Sequence, residues 1–374
     1  MIRLERAKIG VEAYPAYWQV AGGDDASLAD VCAWLADHRE AIEELLDRDG
    51  ALHIRGLAAL NSAAAFEVAL GVLAPRLMDY VGGTSPRHAV HGQIVTATDL
   101  PGAYTIPMHQ EMSYTANPPD RVAFFCKTPA GTGGATTVGD AREITRRIDP
   151  AVRACFEEKG GVRLRRTLPG PNSVGERPGV PKPWTEVFDT PDKDEVKRIA
   201  RAKGWDITWL EDGSLQLWQE ILPAMKTHPR TGETVWFNQA HIFAPEASLR
   251  WSSRDGRREQ WRRLSWAYAE NPELVDHVFH GNGEQVSAEH AEHLFDVFVD
   301  AEVRVRWKAG DLLLLDNVLA VHGRTAFAGE RRVLAALIRD QVMEKNQQAA
   351  KPMPASVKAK TPGPRITQPE TERQ

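Results

Sequence analysis

Short runs of β-branched, leucine-rich or aromatic residues stand at 51–55, 122–126, 234–237, 303–307, 312–315 and 332–338, most of them between Gly, Pro and Asp and at irregular intervals. A doubly wound parallel sheet needs strands alternating with helices at a regular repeat, so this spacing argues against one. Helical signals cluster near the front and between the strand groups. In 27–46, Leu28, Val31, Leu35, Ile42, Leu45 and Leu46 recur at three- and four-residue steps, which predicts an amphipathic helix or two. Asp149-Pro150 supplies a capping side chain and a first-turn proline for a second helix, and Gly160-Gly161 its left-handed stop. Thr190-Pro191 and Gly204 bracket a third helix in the same way. The pattern predicts a mainly β sandwich or barrel buttressed by helices.

The 374 residues suffice for one large core or two modest ones, and no internal repeat is visible. Lys plus Arg number 46 against 51 Asp plus Glu, a net charge of -5, so the basic excess that a nucleic-acid partner demands is missing. Cys32, Cys126 and Cys155 lie far apart with no CxxC pair, which excludes a disulfide framework or a thiolate zinc site and predicts reduced thiols. The opening MIRLERAKIGVEAYPAYW scatters charges where a signal peptide would carry its apolar run, and no stretch nears the ~20 apolar residues of a membrane span. A cytoplasmic protein without membrane contact is expected. From about 343 onward Pro, Lys, Gln and Thr dominate, so 343–374 is expected to be a disordered tail behind a single domain over 1–342.

Any one of the 12 histidines means little alone. His109-Gln110-Glu111 is a constellation, because residues two apart in an extended segment project to one face, and Pro107 and Pro118-Pro119 keep this segment out of helix. His322 follows the apolar stretch that begins at Leu312, which could set it inside a core. Two imidazoles and one carboxylate on one face of an octahedron leave three positions open, an arrangement suited to non-haem iron(II); zinc could use the same three with water. Nine or ten residues after His322, Arg331 and Arg332 open an apolar strand, where a guanidinium is costly to bury without an anion.

In order and spacing, GALHIRGL at 50–57, YVGGTSPR at 80–87, MHQEMSY at 108–114, GGATTVGDAR at 133–142, WFNQAH at 236–241 and GDLLLLDNVLAVHGRTAFAGERR at 310–332 resemble the taurine dioxygenase-like (TauD/TfdA) superfamily of iron(II)- and 2-oxoglutarate-dependent oxygenases. Within it, the chain is similar to the branch of aminoacyl and amino acid hydroxylases that serve peptide natural products. The resemblance implies a distorted double-stranded β-helix, or jelly roll, with helices outside and an insertion at about 169–225 that is either a lid or partner surface or plain scaffold. It implies His109, Glu111 and His322 as iron ligands, and Arg332 with Thr136 as the clamp for the far carboxylate of 2-oxoglutarate. Arg331 is the alternative if the loop after His322 is shorter than this alignment makes it. Ala135 departs from the pattern, since many relatives carry an acidic residue there.

Arg87, Gln93, Ser113, Tyr114, Trp236 and Asn238 fall in segments that flank the site in relatives, and Arg87 would suit a substrate carboxylate. His241 is a further candidate, as a hydrogen-bond donor behind the ligands. Glu111 in place of the small residue of halogenating relatives argues against halogenation. The resemblance implies hydroxylation, with dioxygen, of an unactivated C–H bond of an amino acid, free or tethered to a carrier protein. The alternatives are a catabolic dioxygenase of taurine-like anions and a jelly-roll binding protein without activity; a homo-oligomer stays open.

Overall fold

The computed structural model describes residues 14–74, 76–79, 87–171 and 182–340. The expected tail at 343–374 lies outside the described residues. An eight-stranded sheet runs in the order Ala16–Gln19, Ala51–Arg55, Leu312–Asp316, Arg121–Thr128, Arg332–Ile338, Ile94–Thr96, Ala89–His91, with Leu77–Met78 also paired to Arg332–Ile338. Only its first pair is parallel. A four-stranded antiparallel sheet runs Val303–Val305, Thr136–Asp140, Ala320–Arg324, Ile106–His109.

Alternation along the strands divides the core into layers. Leu312, Leu314, Leu334, Ala336 and Ile338 face outward from the large sheet, against the helices Leu28–Asp37, Arg39–Asp49 and Ala63–Leu73. Their neighbours Leu313, Leu315, Val333, Ala335 and Leu337 face inward and meet Val138, Val305 and Ala320 of the small sheet. The two sheets therefore pack face to face. On the far side of the small sheet, Met108 and Val321 join Phe156, Trp236, Trp251 and the helix Ala288–Asp300. The fold is mixed, many strands braced by helices, as the irregular strand spacing predicts.

The helix over 27–46 is indeed two, broken at His38. Pro150–Glu158 has its cap at Asp149 and its proline in the first turn, with Gly160 and Gly161 at positive φ behind it. The third helix, Lys193–Ala202, is capped by Asp192 rather than by Thr190, because an aspartate two residues on reaches the Asp194 and Glu195 amides. Within 169–225, the strands Asp206–Trp209 and Leu215–Trp218 pair in series with Val162–Leu168 and then His277–His280, and enclose a small cluster around Trp184, Val196 and Trp205. All three cysteines are free, and no described helix is long and apolar enough to cross a membrane.

Candidate metal centre

His322 lies directly opposite His109 in the antiparallel pairing of Ala320–Arg324 with Ile106–His109. Met108 and Val321 point to the outer core, so their successors His109 and His322 turn inward, with ring centroids 4.6 Å apart. Gly323 lets the strands come this close: a Cβ there would stand 2.4 Å from the Ile106 carbonyl oxygen. Phe124 of the large sheet packs beside His322, at 5.0 Å between centroids.

Glu111 reaches the same point by a different route from the two-residue strand alternation that the sequence suggests. The strand ends at His109, and the chain turns through Gln110 and Glu111 to Met112, whose φ of 54° is left-handed. Asn317 fixes this turn. Its Oδ1 accepts from the Glu111 amide at 2.7 Å, and its Nδ2 donates to the carbonyls of Glu111 at 2.9 Å and Pro119 at 2.8 Å. Gln110 donates to the Trp236 carbonyl, and Gln239 donates to the Gln110 carbonyl and the Ser113 hydroxyl. A turn with a left-handed residue and the Glu111 peptide groups pinned on both sides can aim a carboxylate that a free loop could not.

One ligating atom each from His109, Glu111 and His322 lies within 4.8 Å of the others, with Glu111 and His322 buried and His109 half-buried. The Pro107 carbonyl can only accept, so the His109 Nδ1 at 2.8 Å carries the proton and Nε2 keeps its lone pair for a metal. Burial, with His322 alongside, pushes His109 down to about 4, so this imidazole is neutral at physiological pH. Burial alone would raise the Glu111 carboxyl, but Arg87, His322 and His109 outweigh it and hold the group well below the usual carboxylate range. Arg87 Nη2 stands 2.7 Å from Glu111 Oε2, and His322 Nε2 stands 3.5 Å from the same oxygen. Two imidazoles and a carboxylate are the donor set that a divalent, oxygen-activating metal requires, so these residues fit iron(II).

The family described as "Taurine catabolism dioxygenase TauD, TfdA family" matches residues 11–337. The chain belongs to the TauD/TfdA dioxygenase family. It is therefore a dioxygenase that works with iron(II) and 2-oxoglutarate. Among characterised TauD/TfdA-like sequences it is similar to the dapdiamide synthesis protein DdaC of Enterobacter agglomerans, at 31% identity over 79% of this chain and 84% of that protein. It is 28% identical to a clavaminate synthase-like protein of Arabidopsis thaliana over 80% of this chain and 84% of the relative. Its fold is similar to that of an asparagine oxygenase solved with Fe(II), 3-hydroxyasparagine and succinate, at a TM-score of 0.50 and 12% identity over 86% of this chain and 93% of the other.

The arginine expected to hold the TauD/TfdA co-substrate is placed differently from the first expectation. Arg332 is exposed and ion-paired with Glu330. Arg331 shares the inward face of Val333, Ala335 and Leu337, and its Nε donates to the Gly134 carbonyl at 3.0 Å. Burial pushes it down to about 10, so it stays charged at neutral pH, and no carboxylate pairs with it among the described residues. A shift of one residue reverses the face, which is why spacing alone could not choose between the two. Arg324, Arg331 and Arg332 all border a cavity of about 360 Å³, together with Asp99, Phe327, Thr96 and Thr98, so the cavity does not distinguish Arg331 from Arg332. Thr136 is buried opposite Arg324, and its Oγ1 accepts from Trp307 Nε1 at 2.9 Å, which leaves the hydroxyl proton to be donated elsewhere.

The flanking candidates divide. Arg87 reaches the triad. Ser113 belongs to the pinned turn, and Tyr114 packs edge-on to Phe243 nearby. Trp236 is core, fully buried against Phe156, and not a substrate contact. The Asn238 carboxamide is engaged by the Ala224 carbonyl and the Ala240 amide. Gln93 donates to Asp79 at the partly exposed end of the large sheet and does not join the triad. His241, stacked on Phe298 at 3.5 Å and pushed down to about 3 by burial, donates from Nε2 to the Met108 carbonyl, bracing the residue before His109. Sequence reasoning missed Asn317; a polar Asp-Asn pair ending a run of four leucines was the available signal.

Proposed function

We propose that this dioxygenase hydroxylates an unactivated C–H bond of an amino acid, free or carrier-tethered, in natural product biosynthesis. The observation that carries the chemistry is the convergence of His109, Glu111 and His322. The biosynthetic direction is supported by the likeness to a protein named for dapdiamide synthesis. The two facing sheets are read as the halves of a distorted double-stranded β-helix, in one oxygenase domain over 1–342 with an insertion at 169–225.

In this reading His109, Glu111 and His322 hold the metal. When bound, iron(II) with 2-oxoglutarate couples decarboxylation of the co-substrate to hydroxylation of the substrate. The protein contributes position. The Pro107 carbonyl keeps the His109 lone pair on Nε2, Asn317 aims Glu111, and the Arg87 guanidinium keeps that carboxylate ionised. Arg331 and the free proton of Thr136 hold the far carboxylate of 2-oxoglutarate by charge-assisted hydrogen bonds, which supplies the buried guanidinium with its missing anion. Walls of Phe124, Val333 and Ala335 exclude water.

The test has two parts. Anaerobic addition of iron(II) and 2-oxoglutarate is expected to give a weak visible charge-transfer band, and its absence would return the protein to a binding role. Succinate formation is then measured across free amino acids, carrier-bound aminoacyl groups and sulfonates. Turnover of an amino-acid substrate is the expected result, whereas turnover of taurine alone would sink the biosynthetic reading.

A further inference from the structure

Arg87 makes its contact at the Glu111 oxygen that faces His322. Its Nη2 donates to Glu111 Oε2 at 2.7 Å, and that oxygen, not Oε1, faces His322 Nε2 at 3.5 Å. Both side chains of the pair are 4% exposed, so water does little to screen either charge. Asn317 holds the Glu111 backbone on both sides, which fixes where the side chain starts, and the pair as it stands gives Arg87 and His322 the same oxygen. A guanidinium and a divalent ion sharing one buried oxygen would stand within a few ångströms of each other, and at that range their repulsion is strong.

We propose that Arg87 is the resident counter-cation of the metal-free triad, and that it competes with the divalent metal for Glu111 Oε2. This rests on the reading that His109, Glu111 and His322 are the ligands. Arg87 is a positioning residue here. It keeps the carboxylate aimed at His322 while no metal is present, and metal binding displaces it from that oxygen. The arrangement stores a ready ligand at the cost of metal affinity.

Cobalt(II), whose absorption bands report ligand number, serves as the probe on the full chain under anaerobic conditions. Arg87→Gln is expected to bind cobalt about tenfold tighter or more, because a buried like charge has been removed. Arg87→Lys, which keeps the charge, is expected to stay within about threefold of the parent affinity. Metal-free Arg87→Gln is expected to melt at a lower temperature, since its glutamate has lost its partner. Equal or weaker cobalt binding by Arg87→Gln overturns the proposal while leaving the ligand assignment intact. Cobalt binding that survives His322→Ala with unchanged bands, or no binding by any form, overturns both. If Arg87→Gln does not fold, the parent chain with nitrogen-15 arginine decides. Zinc(II) should shift the buried guanidinium resonance, and an unmoved resonance would overturn the competition.

Discussion

Arg331 and Arg332 differ by one position and by a complete change of surroundings. The inward residue is half-buried with no carboxylate paired to it among the described residues, and the outward one is exposed beside Glu330. Arg331→Gln is therefore expected to weaken 2-oxoglutarate binding about a hundredfold, the loss of a charge-assisted pair, while cobalt binding without co-substrate is kept. Arg332→Gln should change it less than about twofold. Anaerobic titration of the charge-transfer band measures both, and a larger loss in the Arg332 variant would refute the assignment. The triad itself was readable from His109-Gln110-Glu111 and His322, because residue type carries ligand chemistry. Asn317 was not, because a carboxamide that clamps a peptide group two hundred residues away leaves no periodic trace.

At the scale of elements, the site depends on how closely Ala320–Arg324 and Ile106–His109 approach. Gly323→Ala would drive a Cβ into the Ile106 carbonyl and against the Met108 amide, neither of which can yield without moving a ligand strand. The expected outcome is a stability loss of about 1–3 kcal/mol together with at least tenfold weaker cobalt binding. Gly71→Ala is the contrast: it lies in the helix Ala63–Leu73 with nothing within 4 Å of the added Cβ, so it should leave metal binding alone and stabilise by about 0.5–1 kcal/mol. Chemical denaturation and cobalt titration of the two variants give the comparison. Equal metal affinities would mean that the glycine does not set the spacing. Most strands were legible as apolar runs within a residue or two, as at Ala51–Arg55 and Arg332–Ile338. Ala320–Arg324 was legible only as the tail of the leucine run, since the turn that separates them is polar in just two residues.

For the whole molecule, that turn is the joint between the sheets. Asp316 ends a strand of the large sheet, and its Oδ1 accepts from the Val318 and Leu319 amides, which sends the chain into the small sheet at Ala320. Its Oδ2 meets His228 Nε2 at 3.0 Å, with both side chains fully buried. Burial would raise the Asp316 carboxyl, but the His228 hydrogen bond, the Leu319 amide and Arg121 hold it below its ordinary value. A depressed folded value means that the group stabilises the fold in full above the unfolded carboxyl's pKa of about 3.9, and the contribution is lost as pH falls through the lower folded value. Asp316→Asn is expected to cost about 3 kcal/mol at neutral pH and to flatten the acid limb of the stability curve. Urea denaturation between neutral and acid pH checks this, and a parallel downward shift with no change of slope in acid would contradict it.

What the sequence by itself determined was the class of chemistry and the kind of fold. Ligand types, an apolar strand carrying paired arginines, and strands too irregular for a βα repeat are properties of local composition and spacing. Tertiary structure decided which arginine turns inward, what Arg87 faces, and that Trp236 is core. Each of those depends on strand register or on a contact between distant segments, where a shift of one residue or a few ångströms reverses the answer. No local pattern encodes that choice, because the energies that settle it come from packing two sheets against one another.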